Sequence, residues 1–450
     1  MKIRLIQPAH LDLNGKPIKY KKLFLPTLAL PTVAGLTPGS VEVGITDEYV
    51  QDINFDEDAD LIGITAHTPQ APRAYQISEE FRKRGKKTIM GGIHVSACPD
   101  EALKYCDCVV VGEAEDLWED VIRDAEHNRL KNRYEAKARP DLSKLVIPRF
   151  DLLDFDNYVI PPFAKTPLIP VQATRGCPHY CDFCSVTPLL GHSIRKKPIA
   201  HVIKEIESIK ASRFLFADDN IGADPAYSRE LFKALIPMKL RWACQMSTTI
   251  VKHPELIELA AKAGCHETLI GIESINEESL SLVNKGFNKV GGYREVFRRL
   301  KDVGILAQAS LVFGLDGDNI GSLKRTIDTV LDWDANYIYI FVLTPLPGTR
   351  VYSRMEKEGR IIEKDWSLYD MTHPLFKFRD LTDEDVMETM WDTYQTFYSA
   401  RNILKRAWRF RKQYIRFFPR DSVIEEVFFS FLIRNSVNMR KHPFSLGLLK

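Results

Sequence analysis

No stretch of the chain approaches the ~18 to 20 consecutive apolar residues that a membrane-spanning helix requires, so no bilayer-crossing segment is expected. Nor is there an excess of charge. The 62 basic residues stand against 60 acidic ones, leaving +2 over 450 residues, which argues against a global electrostatic hold on nucleic acid. Low-complexity tracts and internal repeats are lacking too, and with 45% hydrophobic and 27% charged residues the composition excludes wholesale disorder. The opening Met1-Lys2-Ile3-Arg4-Leu5-Ile6-Gln7-Pro8 is broken too soon to read as a secretory signal, and a cytoplasmic protein is expected. In that setting the eight cysteines read as reduced thiols or metal ligands, not as a disulfide framework. The length suggests about three domains.

What is present is alternation. Residues 1–127 alternate short β-rich runs (Ile3-Arg4-Leu5-Ile6, Val41-Glu42-Val43-Gly44-Ile45, Leu61-Ile62-Gly63-Ile64-Thr65, Lys87-Thr88-Ile89-Met90, Cys108-Val109-Val110-Val111) with apolar residues at helical spacing, such as Ala74, Ile77 and Phe81. Near-continuous apolar strands separated by helices imply a doubly wound, Rossmann-like parallel sheet, with ligands beyond the carboxyl ends of its strands. The residues there are Thr65-Ala66-His67-Thr68, Gly91-Gly92-Ile93-His94 and Gly112-Glu113. Residues 128–165, with four prolines and no sustained period, read as a connector.

A second α/β alternation runs over 166–350. Strands are expected at 168–174, 213–217, 241–247, 268–272, 306–313 and 337–343, and helices at 199–211, 226–235, 254–263, 292–303 and 320–334. This is the pattern of a (β/α)6 partial TIM barrel with its site at the carboxyl ends of the strands. Residues 351–450 read as a helical C-terminal region.

The chemistry begins at Cys177-Pro178-His179-Tyr180-Cys181-Asp182-Phe183-Cys184, a C-x3-C-x2-C spacing directly after the first barrel strand. Three thiolates on a tight loop can hold three irons of a [4Fe–4S] cube and leave one iron open. Structural zinc, with His179 or His192 as a fourth ligand, is the alternative.

The segment Ala173-Thr174-Arg175-Gly176-Cys177…Cys181…Cys184 resembles the radical S-adenosylmethionine (SAM) superfamily, and with the domain ahead of it the chain resembles that superfamily's cobalamin-binding branch. The resemblance implies a [4Fe–4S] cluster on Cys177, Cys181 and Cys184, whose open iron is chelated by the amino and carboxylate groups of SAM. One electron then yields methionine and a 5′-deoxyadenosyl radical that abstracts hydrogen from an unactivated carbon, the protein supplying register and exclusion. It places SAM contacts at Phe183, at Asp218, Asp219 and Asn220 after the second strand, at Ser247 after the third, and at Glu273 and Ser274 after the fourth. Gly314-Leu315-Asp316-Gly317-Asp318 follows the fifth strand. Glu273, taken alone, is equally a salt-bridged loop carboxylate. Cobalamin contacts are implied at Thr65, His67, Thr68, Gly91, Gly92, His94, Gly112 and Glu113, where glycines let backbone approach a bulky ligand. The Asp-x-His-x-x-Gly motif of other cobalamin proteins is absent, since neither His67 nor His94 has an Asp two residues earlier.

The expected activity is methylation of an unactivated carbon in a natural-product, lipid or tetrapyrrole substrate, with one SAM remethylating cobalamin and a second giving the radical. Cyclisation, rearrangement or oxidation without methyl transfer is the alternative. The resemblance also implies an electron donor such as flavodoxin or ferredoxin, and no nucleic-acid partner. A tRNA methylthiolase would need a second cysteine trio, for which Cys98, Cys106 and Cys108 are poorly spaced. These three, with Cys244 and Cys265, read as packing residues. Residues 401–450 carry 12 Lys/Arg and 3 Asp/Glu. Within them, 405–420 mixes cations with Trp408, Phe410, Tyr414, Phe417 and Phe418. This reads as an amphipathic helix packed on the barrel, with a peripheral membrane surface, a substrate lid or nucleic-acid contact as alternatives.

Overall fold

The computed structural model describes residues 1–144, 146–159, 166–209, 212–417 and 421–443, and of 412–417 and 421–426 the backbone only. Its first sheet has six parallel strands in the order β2-β1-β3-β4-β5-β6: β1 (Lys2–Gln7), β2 (Glu42–Asp47), β3 (Leu61–Thr65), β4 (Lys87–Gly91), β5 (Cys108–Val111) and β6 (Arg133–Glu135). Alternate side chains feed two cores. Ile3, Leu5, Leu61, Ile89, Cys108 and Val110 pack with Trp118 and Val121 on one face, and Ile6, Ile62, Ile64, Met90 and Val109 with Ala74, Ile77 and Phe81 on the other. That two-faced burial is why these strands read as unbroken apolar runs. The order reverses at β1, so the crevice between the carboxyl ends of β1 and β3 is the switch point where such sheets bind ligands.

The sheet runs on into the expected connector, because β6 pairs with β5 inside 128–165. Its three residues bury only Tyr134, too short a pattern to read. Helix Ala29–Leu36 was not expected either, and it carries Pro31 without a polar face.

The second sheet is also parallel, in the order β14-β13-β12-β11-β10-β7. It comprises β7 (Ile169–Val171), β10 (Arg213–Phe216), β11 (Arg241–Met246), β12 (Cys265–Glu273), β13 (Leu306–Phe313) and β14 (Tyr337–Val342), while β8 (Thr174–Arg175) and β9 (Arg195–Lys196) form a separate antiparallel ladder. The expected strand 168–174 is thus divided between β7 and β8. Since β7 and β14 lie at opposite edges, the barrel is open. Phe214, Phe216, Trp242, Ile270, Ile272, Leu311 and Ile340 pack outward against the helices, leaving residues of opposite parity for the concave face. The helices fall at Ile199–Ile209, Pro225–Leu235, Pro254–Lys262, Tyr293–Asp302 and Ile320–Asp332; residues 210–211 of the first expected helix lie outside the described residues.

Edge strand β14 is covered, not left to template another chain. Tyr394 accepts from the Ile340 N–H (2.6 Å) and donates to the Ile340 carbonyl (3.2 Å), and Tyr398 does the same at Ile338 (3.1 and 3.2 Å). Both lie on or next to helix Asp383–Phe397, which leads into helices Ala400–Phe417 and Asp421–Asn438. The region is less helical than expected, for 358–382 holds only a short 3₁₀ turn, Trp366–Leu368, and a bridge between Ile361 and Phe376. That turn packs back on the first domain, where the Trp366 indole N–H donates to Glu101 (2.9 Å).

Candidate functional site

The cysteine loop hangs from the β8–β9 ladder, with Thr174 opposite Lys196 and Arg175 opposite Arg195. Gly176 closes it at φ +90°, where a Cβ would lie 2.5 Å from the Ser193 carbonyl oxygen. Further ties hold its path: the Cys177 N–H to Gly191 (3.2 Å), the Cys184 N–H to Cys181 (3.1 Å), and the Asp182 N–H to Val283 (3.0 Å). The Asp182 carboxylate accepts from Asn284 (2.8 Å), and His179 stacks on Phe287 at 3.8 Å.

Cys177, Cys181 and Cys184 are half-buried free thiols. Burial raises all three, Cys181 to about 11 and Cys184 to about 12, and each thiolate opposes the others. Among the described residues no three His, Cys, Asp or Glu side chains converge as ligands of one metal ion. A single zinc would need that convergence, whereas cubane thiolates each take a different iron. Three cysteines on one loop can supply one thiolate to each of three irons of a [4Fe–4S] cluster.

The adjacent acids after β10 have opposite fates. Asp218 is fully buried and accepts from the Ala173 N–H (3.0 Å), the Thr174 N–H (2.5 Å) and the Thr174 hydroxyl (2.6 Å), joining the end of β10 to the root of the cysteine loop. Its carboxylate is thereby engaged within the protein. Asp219 accepts from the Gly176 N–H and lies within electrostatic reach of Cys177 and Cys184; burial lifts it to about 6, and its buried Oδ2 has no partner. A buried carboxylate oxygen beside the thiols, lacking a donor, is where a ligand's N–H donor would be satisfied. Asn220 and Ser247 exchange bonds, Nδ2 to Oγ and Ser247 N–H to Oδ1, both 3.2 Å.

Glu273 sits at φ +66° where the β12–β13 register shifts between Gly271 and Glu273, a bulge of the kind that re-aims a side chain. Its Oε1 meets the Lys285 ammonium at 2.5 Å and its Oε2 accepts from Ser310 at 3.3 Å. A Cβ on Gly271 would lie 2.7 Å from Oε1, so a side chain there would displace the Glu273 carboxylate. Sequence reasoning missed Lys285. Burial acts to lower it, yet Glu273, Cys181 and Cys184 raise it overall, and it lies over the rings of Phe183 (5.7 Å) and Phe287 (5.8 Å). A buried Lys demands an anion, and Glu273 at a strand end demands a cation; the separation of 12 positions hides the match. Ser274 accepts from the Asn276 N–H (3.0 Å) within its own turn.

At the first sheet's carboxyl edge the expected residues divide again. Thr65 and Gly91 end β3 and β4. Gly112 (φ +89°) has nothing within 4 Å of a Cβ position, so that edge is open. His67 is exposed, yet the protein around it lowers its ionisation, as in a concave cleft. Thr68 is buried. Gly92 (φ +100°) packs against β3's own end, its Cβ position 2.8 Å from Thr65 Oγ1. His94 is fully buried, 3.0 Å from the Tyr75 hydroxyl and edge-on to Trp366 at 5.2 Å. It ties the first domain to Trp366, and its buried Nδ1 has no hydrogen-bond partner among the described residues.

The Glu113 carboxylate is engaged in ion pairs. It meets Arg175 (2.5 Å) and both nitrogens of Arg195 (2.6 and 3.1 Å), while Arg175 also meets Glu115 (2.5 Å). The β8–β9 ladder is thereby clamped to the loop after β5. Helix Val186–Leu190 of the cysteine loop packs on helix Ile93–Ala97, so the carboxyl edges of the two sheets meet at the thiols.

The chain matches the family profile of the radical SAM superfamily over residues 171–330 and that of the B12-binding domain over 23–122. Two bacteriochlorophyllide d methyltransferases of Chlorobaculum tepidum are similar: the C-8(2) enzyme is 33% identical over 81% of this chain and 82% of its own length, and the C-12(1) enzyme 32% identical over 77% and 76%. In fold the chain resembles OxsB, a cobalamin-dependent SAM radical enzyme, with a TM-score of 0.70 and 15% identity, covering all of this chain and 76% of that one.

Proposed function

The chain belongs to the cobalamin-binding radical SAM enzymes, and from that premise we propose that it methylates an unactivated carbon on an alkyl substituent of a tetrapyrrole. Methyl transfer is the activity named for both bacteriochlorophyllide d enzymes the chain is similar to, and the tetrapyrrole is carried over from the same names. Bound in the two edges, a [4Fe–4S] cluster with SAM would supply a hydrogen-abstracting radical and a cobalamin a transferable methyl group.

This chain's residues then have distinct tasks. Cys177, Cys181 and Cys184 hold the cluster; the unpaired Asp219 Oδ2 would accept an N–H of the SAM amino group; the Asn220–Ser247 pair and the Glu273–Lys285 pair fix the walls around it. Thr65, His67, Gly91 and Gly112 line the cobalamin crevice, where the missing Cβ at Gly112 leaves room for a bulky ring. An acidic one-electron carrier such as flavodoxin or ferredoxin is the proposed reductant. The observation that carries the reading is Asp219's vacant acceptor beside three loop thiols. Anaerobic incubation with methyl-labelled SAM and a bacteriochlorophyllide d precursor should give labelled product with 5′-deoxyadenosine. Deoxyadenosine without label in the pigment would reject methylation in favour of cyclisation or oxidation.

A further inference from the structure

Helix Ala400–Phe417 carries seven basic residues and no acidic one, while the rest of the chain sums to −5. Its cations fall into two groups. Arg406 is buried over the rings of Phe397 (3.9 Å) and Tyr398 (5.5 Å) and donates to the Phe397 carbonyl (2.6 Å). Arg409 reaches Asp334 (3.4 Å), and Ile403 and Phe410 are buried beside them. This inner face fixes the helix on the protein.

The outer face is different. Leu404 is 59% and Trp408 68% exposed, one turn apart, and Trp408 is the most exposed aromatic among the described residues. Arg411 lies over the indole at 3.8 Å, and Arg401 and Lys405 are exposed with no ion pair among the described residues. A packed amphipathic helix accounts for the inner face but leaves this pair of large apolar side chains, flanked by uncompensated cations, in water. That combination is the signature of a helix lying in a lipid headgroup region, with Trp and Leu entering the acyl boundary and Lys and Arg meeting anionic headgroups. No helix among the described residues is long and apolar enough to cross a membrane, so contact would be peripheral.

We propose that the outer face of helix Ala400–Phe417, centred on Leu404 and Trp408, docks the enzyme on an anionic lipid surface. Nothing in this depends on the reaction or the substrate. The test is flotation of the full-length chain with equimolar phosphatidylglycerol–phosphatidylcholine vesicles, with pure phosphatidylcholine vesicles and a tRNA pool as separate arms. Binding is expected to the anionic vesicles, to fall on pure phosphatidylcholine or at high salt, and to weaken about tenfold in Trp408→Glu and in the double variant Arg401→Glu/Lys405→Glu. Iron content and far-UV circular dichroism of both variants should match the parent, because the altered side chains point to solvent. Failure of the full chain to float, variants that float like the parent, or affinity confined to the tRNA arm would each overturn the proposal.

Discussion

Replacing Glu113 with alanine tests how the cysteine loop is held. The carboxylate, 7% exposed, is shared by Arg175 and Arg195, themselves 12% and 17% exposed. In Glu113→Ala, Arg175 keeps Glu115 and Gln172. Arg195 keeps only the carbonyls of Pro140 (3.1 Å) and Leu190 (3.2 Å). One buried guanidinium loses its counter-charge, and breaking such a pair costs about 3–5 kcal/mol; the remaining carbonyls place the expected loss near ~3 kcal/mol. Anaerobic thermal unfolding should show a midpoint lower by ~5 °C. In Glu113→Met/Arg195→Met the unpaired charge is gone, so most of the stability should return, while the ratio of deoxyadenosine formed to methyl transferred stays above that of the parent because the ladder has lost its anchor. A Glu113→Ala midpoint within about 1 °C of the parent, or a double variant no more stable than the single one, would refute the clamp.

Two further outcomes follow from buried charge. Lys285→Met leaves Glu273 with only Ser310 and withdraws a cation from Cys181 and Cys184; the reduction potential of the reconstituted cluster should fall by tens of millivolts in an EPR-monitored titration, and an unchanged potential would exclude an electrostatic role. Asp318 is 3% exposed, and burial raises it from 3.8 to about 6 despite donors from Ser279 and Leu315. The native state therefore binds the extra proton, so this contribution, at most ~3 kcal/mol, is present below pH ~4 and is lost as pH rises to ~6. Asp318→Asn should flatten that slope in urea unfolding, and a slope equal to the parent's would show that Asp318 does not cause it.

Five of the six strands of the first sheet were legible because burial on both faces writes them as continuous apolar runs, as in Cys108-Val109-Val110-Val111. β6 was not, since Arg133-Tyr134-Glu135 buries one side chain and its place is set by pairing with β5. In the site, spacing announced the thiols, for three ligands of one cluster must lie close on one loop. Asp218 and Asp219 could not be told apart, because neighbours on a strand end point to opposite sides. One meets three donors and the other none for its Oδ2. Lys285 and the clamp escaped for a related reason: Glu113 finds its arginines 62 and 82 residues away, and no local pattern encodes such a match.

The two domains are joined by contacts of different kinds, and the difference bears on how the sheet edges keep their alignment. Ile169 of β7 belongs to the same apolar cluster as Phe150, Tyr158 and Trp118, a contact that resists separation but has no preferred direction. Directional bonds sit further out, at Glu113 on one flank and at Glu101 on the other, the latter accepting from both Tyr75 (2.9 Å) and Trp366 (2.9 Å). An apolar pivot with hydrogen-bonded carboxylates on both sides opposes rotation as well as separation. Alignment of the two edges is thus a task for Glu113 and Glu101.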